Sequence, residues 1–211
     1  MSQAVDPKQD RISRRQADKF AERRAQLAAS ALLTLSELGY ARTSLREIAQ
    51  NSEFSHGVLH YYFRDKVDLI TFCVRQYKAE CVTRYDQVVA TARTAEELCE
   101  GFGAAMVQTL RDDAAMHRLW FDLRNQSLFE KSFQDDVTEI DRSLERMIWR
   151  IVTQYAELSG STLAVPSRLA YALFDGVFQQ ALFGHLAGGD TTSTQLREHV
   201  RQVLGLVVHP G

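Results

Sequence analysis

Along most of the chain apolar residues recur at steps of three and four, the spacing of one buried helix face. Ala28, Ala31, Leu35 and Leu38 keep that spacing up to Gly39 and predict a helix from about Arg14. Ile70, Val74, Tyr77, Cys81, Tyr85 and Val88 predict a long helix from about Asp65, and Val137, Ile140, Leu144, Met147, Ile151 and Tyr155 predict another over 132–158. Thr94 with Glu97 three residues on is a capping-box arrangement and opens a helix through 110. After Asp112–Asp113, the aromatic-rich stretch 116–129 reads as a separate helix. Pro166 is placed for the first turn of a helix carrying the doublets Leu169/Ala170, Leu173/Phe174, Val177/Phe178 and Ala181/Leu182. Beyond Gly188–Gly189 a last helix carries Leu196, Val200, Val203 and Val207. No stretch alternates convincingly with period two, and residues 1–13 are polar and aperiodic, which reads as a disordered arm. The expected fold is all-α, with about nine helices.

Residues 43–66 carry a more particular pattern. Ser44 with Glu47 makes a second capping box, followed by a small apolar face at Ile48 and Ala49. Ser55 is placed to cap another short helix with Val58, Leu59 and Phe63 turned inward. Two short helices divided by the corner Ser52–Glu53–Phe54 form a helix-turn-helix, whose second helix fits the major groove of DNA. Gly57, early in that second helix, costs roughly 1 kcal/mol relative to Ala; a close approach by DNA is one reason to keep it.

The run Thr43-Ser44-x-x-x-Ile48-Ala49, then Ser55-x-Gly57-Val58-Leu59-x-Tyr61-Tyr62-Phe63-x-x-Lys66-x-x-Leu69, resembles the TetR family of bacterial transcriptional repressors. The resemblance implies a homodimer that binds a palindromic operator and lets go when a small-molecule effector, largely apolar, enters the larger domain. It divides the chain into the arm at 1–13, a helix-turn-helix domain at 14–66 and an effector-binding and dimerisation domain at 67–211. It places DNA contacts at Ser44, Arg46, Ser55, His56, Gly57, His60, Tyr61, Tyr62 and Lys66. Arg46 stands where some relatives read guanine, and Lys66 where they contact a phosphate. Two positions depart from the family pattern. Glu53 replaces the usual corner Gly, which calls for a non-Gly residue at positive φ or a reshaped turn, and His60 replaces the first aromatic of the run.

The net charge of −2 advertises no field for nucleic acid. Divided at residue 66, however, the chain is +3 before the boundary (11 Lys and Arg against 8 Asp and Glu) and −5 after it. Arg11, Arg14, Arg15, Lys19, Arg23 and Arg24 form the densest basic stretch, suited to tracking phosphates.

For the effector pocket the mixture of apolar and placed polar groups points to Phe102, Met106, His117, Trp120, Phe121, Arg124, Asn125, Trp149 and Phe174. Trp120 with Trp149 would suit a quaternary ammonium. The dimer face is expected at Leu173, Val177, Ala181, Val200, Val203 and Val207.

Other classes are weaker. No nucleophile elbow, zinc-protease helix, P-loop, dinucleotide fingerprint or di-metal Glu-x-x-His pair occurs, so neither an enzyme, a metal site nor a cofactor is expected. An activator or a partner-controlled adaptor is the alternative within the helix-turn-helix class. The 3 cysteines form no CxxC pair, and no apolar run approaches the roughly 20 residues a membrane span needs. With no signal-peptide pattern at the N-terminus, a cytoplasmic location is expected.

Overall fold

The computed structural model describes residues 7–39, 43–189 and 191–210, with side chains from residue 15 onward, Leu33 excepted. Among them are eight α-helices, one 3₁₀ turn and a ribbon of two two-residue strands, so the all-α expectation holds. The chain divides into two compact units, Met1–Cys73 and Val74–Gly211.

The first unit comprises α1 (Pro7–Leu38), α2 (Leu45–Gln50), α3 (His56–Tyr62) and the start of α4 (Lys66–Thr91). The first helix begins at Pro7, inside the stretch whose pattern reads as an arm; Pro is pre-organised for a first helical turn. The rest of that arm, 1–6, lies outside the described residues, as do the side chains of Arg11 and Arg14. Gly39 ends α1 at φ 73° with its N–H on the Leu35 carbonyl, a left-handed stop that Gly adopts without a Cβ clash. Helices of six and seven residues are marginal alone, and two things hold α2 and α3. One is their caps: Ser44 Oγ accepts from Glu47 N–H at 3.2 Å and Ser55 Oγ from Val58 N–H at 3.3 Å. The other is a core of Leu27, Ala31, Leu35, Ile48, Leu59, Phe63 and Leu69, each at most 1% exposed.

The second unit contains the rest of α4, then α5 (Ala95–Gln126), the 3₁₀ turn Lys131–Phe133, α6 (Gln134–Ser159), α7 (Ser167–Leu186) and α8 (Thr192–Leu206). The two helices expected at 94–110 and 116–129 are one, which accounts for eight α-helices rather than nine. Asp113 leaves helical geometry at φ −121°, ψ 19°, yet the helix continues past it. No Gly or Pro stands there to end it, and Arg84 Nη1 holds the Asp113 carboxylate at 2.9 Å. Strands β1 (Thr162–Leu163) and β2 (Val208–His209), unexpected from the pattern, pair antiparallel as Thr162↔His209 and Leu163↔Val208.

The stripe Leu196, Val200, Val203 and Val207 on and just after α8 packs into the unit's own core. That corrects the expectation for Val200, Val203 and Val207, whose helical spacing marks a buried face without saying which body covers it. Leu173, Val177 and Ala181 are half-buried. The large apolar side chains that α7 and α8 leave exposed are Leu169, Phe183, Leu186 and Leu206.

Leu196→Ala is expected to lower unfolding stability by about 2–5 kcal/mol through the cavity it leaves. Leu128, 74% exposed, should change stability by no more than about 0.5 kcal/mol on the same substitution. Urea denaturation of both variants checks the contrast.

Candidate functional site

In the first unit α2 packs on α3, and both contact one another around the corner at 51–54. No described non-Gly residue has positive φ, so Glu53 is accommodated by a reshaped turn rather than by strain. Asn51 caps α2 with its N–H on the Glu47 carbonyl, its side-chain Nδ2 donates to the same carbonyl at 2.9 Å, and Phe54 N–H donates to Ser52 Oγ at 3.3 Å. Side-chain hydrogen bonds thus do at this corner what a Gly backbone does elsewhere.

The solvent face of α3 presents Ser55, His56, Gly57, His60 and Tyr61, all exposed, with Tyr61 at 73%. A Cβ at Gly57 would meet no atom within 4 Å, so nothing inside the chain demands a glycine there. His56 and His60, one turn apart, stack edge to face at 4.4 Å. Tyr62 is half-buried against Phe20 of α1 at 4.7 Å and presents its edge to Tyr61 at 5.0 Å. Ser44 and Arg46 are exposed on α2 and its cap, and Lys66, half-buried, opens α4.

Of the basic stretch on α1, Arg15 and Lys19 are exposed. Arg24 is spent internally: its guanidinium lies over Phe63 and Phe72 and pairs with Asp68 at 2.7 Å. Arg23 lies over Phe54.

In the second unit α4 to α7 enclose a cavity. Its walls include Phe102, Met106, His117, Trp120, Phe121 and Phe174, together with Lys78, Cys81, Tyr85, Thr109, Leu144, Met147, Ile148, Tyr171, Asp175 and Phe178. The space open to the centre of a water-sized sphere is about 60 Å³, room for a few waters, so an organic guest must push the walls apart. Arg124, Asn125 and Trp149 do not line it. Asn125 points to solvent, Trp149 is half-buried, and Arg124 instead binds Asp175 at 2.6 Å and Asp141 at 3.5 Å. A Trp120–Trp149 cage therefore does not form, and the Trp120 ring already faces a cation of the chain itself, Lys78 Nζ at 5.4 Å.

Lys78 is the unusual member of this wall, an ammonium only 4% exposed. Burial lowers its pKa to about 8. It meets His117 Nδ1 at 3.1 Å, while His117 Nε2 meets the Tyr77 hydroxyl at 3.0 Å. Burial first, then the Lys78 and Arg84 charges, hold His117 well below its ordinary pKa and keep it neutral. A neutral imidazole that accepts at Nδ1 carries its proton on Nε2, so Nε2–H donates to Tyr77. Burial, with the neighbouring Cys81 and Asp113, pushes the Tyr77 hydroxyl well above its ordinary pKa, so it stays protonated beside the carboxylate that Arg84 holds.

The family model for bacterial regulatory proteins of the tetR family matches residues 27–71, which span the helix-turn-helix and its flanks. Residues 27–71 therefore carry a DNA-binding segment of the tetR-family type. The chain is 27% identical over 194 residues to the HTH-type transcriptional regulator BetI of Cronobacter sakazakii, covering 86% of this chain and 91% of that one. Among solved structures, FadR of Bacillus subtilis in complex with stearoyl-CoA superposes with a TM-score of 0.69 at 18% identity, covering 87% and 97% of the two chains. A putative regulator from Saccharomonospora viridis in complex with choline superposes at 0.70 with 17% identity, covering 90% and 99%. These neighbours share the fold. With that segment and a transcriptional regulator as a relative along 86% of its length, the chain is a DNA-binding transcriptional regulator rather than an enzyme.

Sequence reasoning overlooked the polar members of this regulator's cavity. A signal for Lys78 was present: it stands between Val74 and Cys81 in the apolar stripe of α4, where an ammonium has to be buried. Asp175, in the middle of the apolar doublets of α7, gave a similar signal. Tyr85 and Thr109 gave none, since their link, Tyr85 Oη to Thr109 Oγ1 at 3.1 Å, joins two helices.

The three thiols are buried, and burial raises the pKa of each above its ordinary value. At pH 8 they should be protonated and unreactive in the folded protein. An aromatic disulfide reagent should release chromophore from Cys73, Cys81 and Cys99 only on denaturation; a fast native phase would contradict this.

Proposed function

We propose that this regulator is a repressor of the TetR family, acting as a homodimer that binds an inverted-repeat operator and releases it when a small molecule occupies the cavity in the second unit. The observation that carries the DNA side is the exposed face of α3. Ser55, His56, His60 and Tyr61 present donors and acceptors there, and the open Gly57 removes a side chain where a base edge or phosphate would approach. Arg46 and Ser44 flank that face from α2, Tyr62 buttresses Tyr61, and Lys66 supplies a phosphate contact at the start of α4. The domain roles follow the same division: a DNA-reading segment over 14–66, with the remainder given to ligand and partner.

For the dimer, the exposed Leu169 and Phe183 of α7 and Leu206 of α8 replace the α8 positions expected from the sequence. Gly176 and Gly205 support the same reading, since a Cβ on either meets nothing within the chain, leaving room for a second copy. An isologous twofold pairing of this face matches an inverted repeat. For the ligand, the related structures hold stearoyl-CoA and choline, two very different guests, so the class must be argued from this chain's own cavity. A DNA partner supports a cytoplasmic location; among the described residues no helix is long and apolar enough to cross a membrane.

Two measurements test this reading. Selection from a random DNA pool should enrich an inverted repeat with half-site centres roughly 34–36 Å apart. Against that site Arg46→Ala should weaken binding by about 1–3 kcal/mol and relax one base position; enrichment of a lone half-site, or none, contradicts it. Sedimentation should give a dimer that Phe183→Glu converts to monomer, whereas a monomeric parent chain removes the proposed interface.

A further inference from the structure

We propose that the cavity binds an amphipathic monocarboxylate, its carboxylate on the Lys78 ammonium and its apolar body among Phe102, Met106, Phe174 and Phe178. This rests on reading the cavity as the ligand site. It goes further by naming the chemical class of the ligand and the residue that selects it.

The argument begins with an unbalanced charge. Lys78 is buried, and among the described residues its ammonium has one hydrogen-bond partner, the neutral His117 ring at 3.1 Å. Among the described residues no carboxylate lies within ion-pairing distance of it. Asp175 shares the cavity wall but is held by Arg124 at 2.6 Å, and Asp113 is held by Arg84 at 2.9 Å. A lysine ammonium carries three donors, so two are left facing an otherwise mostly apolar space. A second orphan lies beside it: the Trp120 indole N–H is buried without a partner, and Trp120 lines the same cavity. Buried donors without acceptors are costly. Three unfilled donors, two of them on a charged group, in the lining of one cavity mark the place of an anionic acceptor.

The alternatives fit less well. A quaternary ammonium would meet the Lys78 cation, which already occupies the face of Trp120 at 5.4 Å. A neutral apolar guest would leave all of these donors unfilled. A small inorganic anion would leave the aromatic and methionine walls unused. An amphipathic carboxylate satisfies the donors with its oxygens and the remaining walls with its tail, and the flexible Met106 and Met147 allow those walls to part.

Lys78 also borders a second, outer cleft of about 170 Å³ lined by Arg75, Ala79, Glu139, Ile140, Ser143 and Arg146. The ammonium therefore borders both the apolar cavity and this outer cleft, whose Arg75 is paired with Asp136 and Glu139.

Protonation gives the proposal a signature. The groups facing Lys78 are Cys81 on its own helix, Asp113, His117 and Arg124 on α5, and Asp175 on α7; Glu139 and Arg146 of α6 border the outer cleft. Because burial lowers the Lys78 pKa to about 8, the empty protein loses this charge as pH rises through that value. Carboxylate binding restores the charge. Affinity should therefore fall above pH 8, approaching tenfold per unit, with net proton uptake on binding at pH 9.

The experiment is calorimetric titration of the full chain with the straight-chain monocarboxylates from acetate to decanoate, the matching alkanols, and choline. One chain length should bind best, at least tenfold tighter than its alkanol and with no measurable binding of choline. Its affinity should drop about tenfold between pH 7 and pH 9. Lys78→Met, of similar volume and checked for folding by thermal melting, should lose the preference for carboxylate over alkanol and the pH dependence together. Binding by none of the series, undiminished carboxylate affinity in Lys78→Met, or tight choline binding would overturn the proposal. Operator binding is measured in parallel. A carboxylate that binds through Lys78 without altering operator affinity supports this site and contradicts its regulatory role; operator release by choline would do the reverse.

Discussion

An ammonium buried inside a bundle of helices is the constraint around which the second unit is arranged. Lys78 stands in the apolar stripe of α4, and its charge has to be tolerated by what surrounds it. His117 supplies a neutral acceptor and Tyr77 receives the proton on its far nitrogen, while Asp113, anchored by Arg84, lies near enough to raise the Tyr77 pKa. Asp113 is also where α5 departs from helical geometry. The hydrogen bonds that make Lys78 bearable therefore run from the cavity wall to Tyr77, close to the kink at Asp113. A ligand that takes the two remaining donors of Lys78 binds at one end of that chain.

The DNA-reading unit is built on a different economy. Its short helices carry little intrinsic stability, so their caps, the small apolar core and the internal use of Arg24 hold α2 and α3 in place. The outer face of α3 is chemically rich and open to solvent: two histidines edge to face, an exposed tyrosine that leans on Phe20 and Tyr62, and a glycine with open space above it. Side chains left this open are the ones free to serve recognition.

The elements were legible because period and caps are local properties. Ser44, Ser55 and Thr94 accept from the third N–H of their helices as their spacing predicts, and Gly39 stops α1. What failed needed information that is not local. The join of two predicted helices at Asp113 depends on Arg84, distant in sequence. The inward facing of Val200, Val203 and Val207 depends on which helices cover α8. Arg124 looked like a pocket residue but is consumed by Asp141 and Asp175, and Lys78 was passed over because a lysine in a helix reads as surface. Glu53 shows the converse, since the local side-chain hydrogen bonds of Asn51 and Ser52 made a conformation without positive φ available.

The account stands on coupling between ligand and DNA, and coupling is reciprocal. The decisive measurement is therefore a pair of titrations on one preparation: operator affinity with the cavity ligand absent and saturating, and ligand affinity with operator absent and saturating. The account predicts that each partner weakens the other by the same factor, greater than one. A ligand affinity that operator leaves unchanged would contradict it.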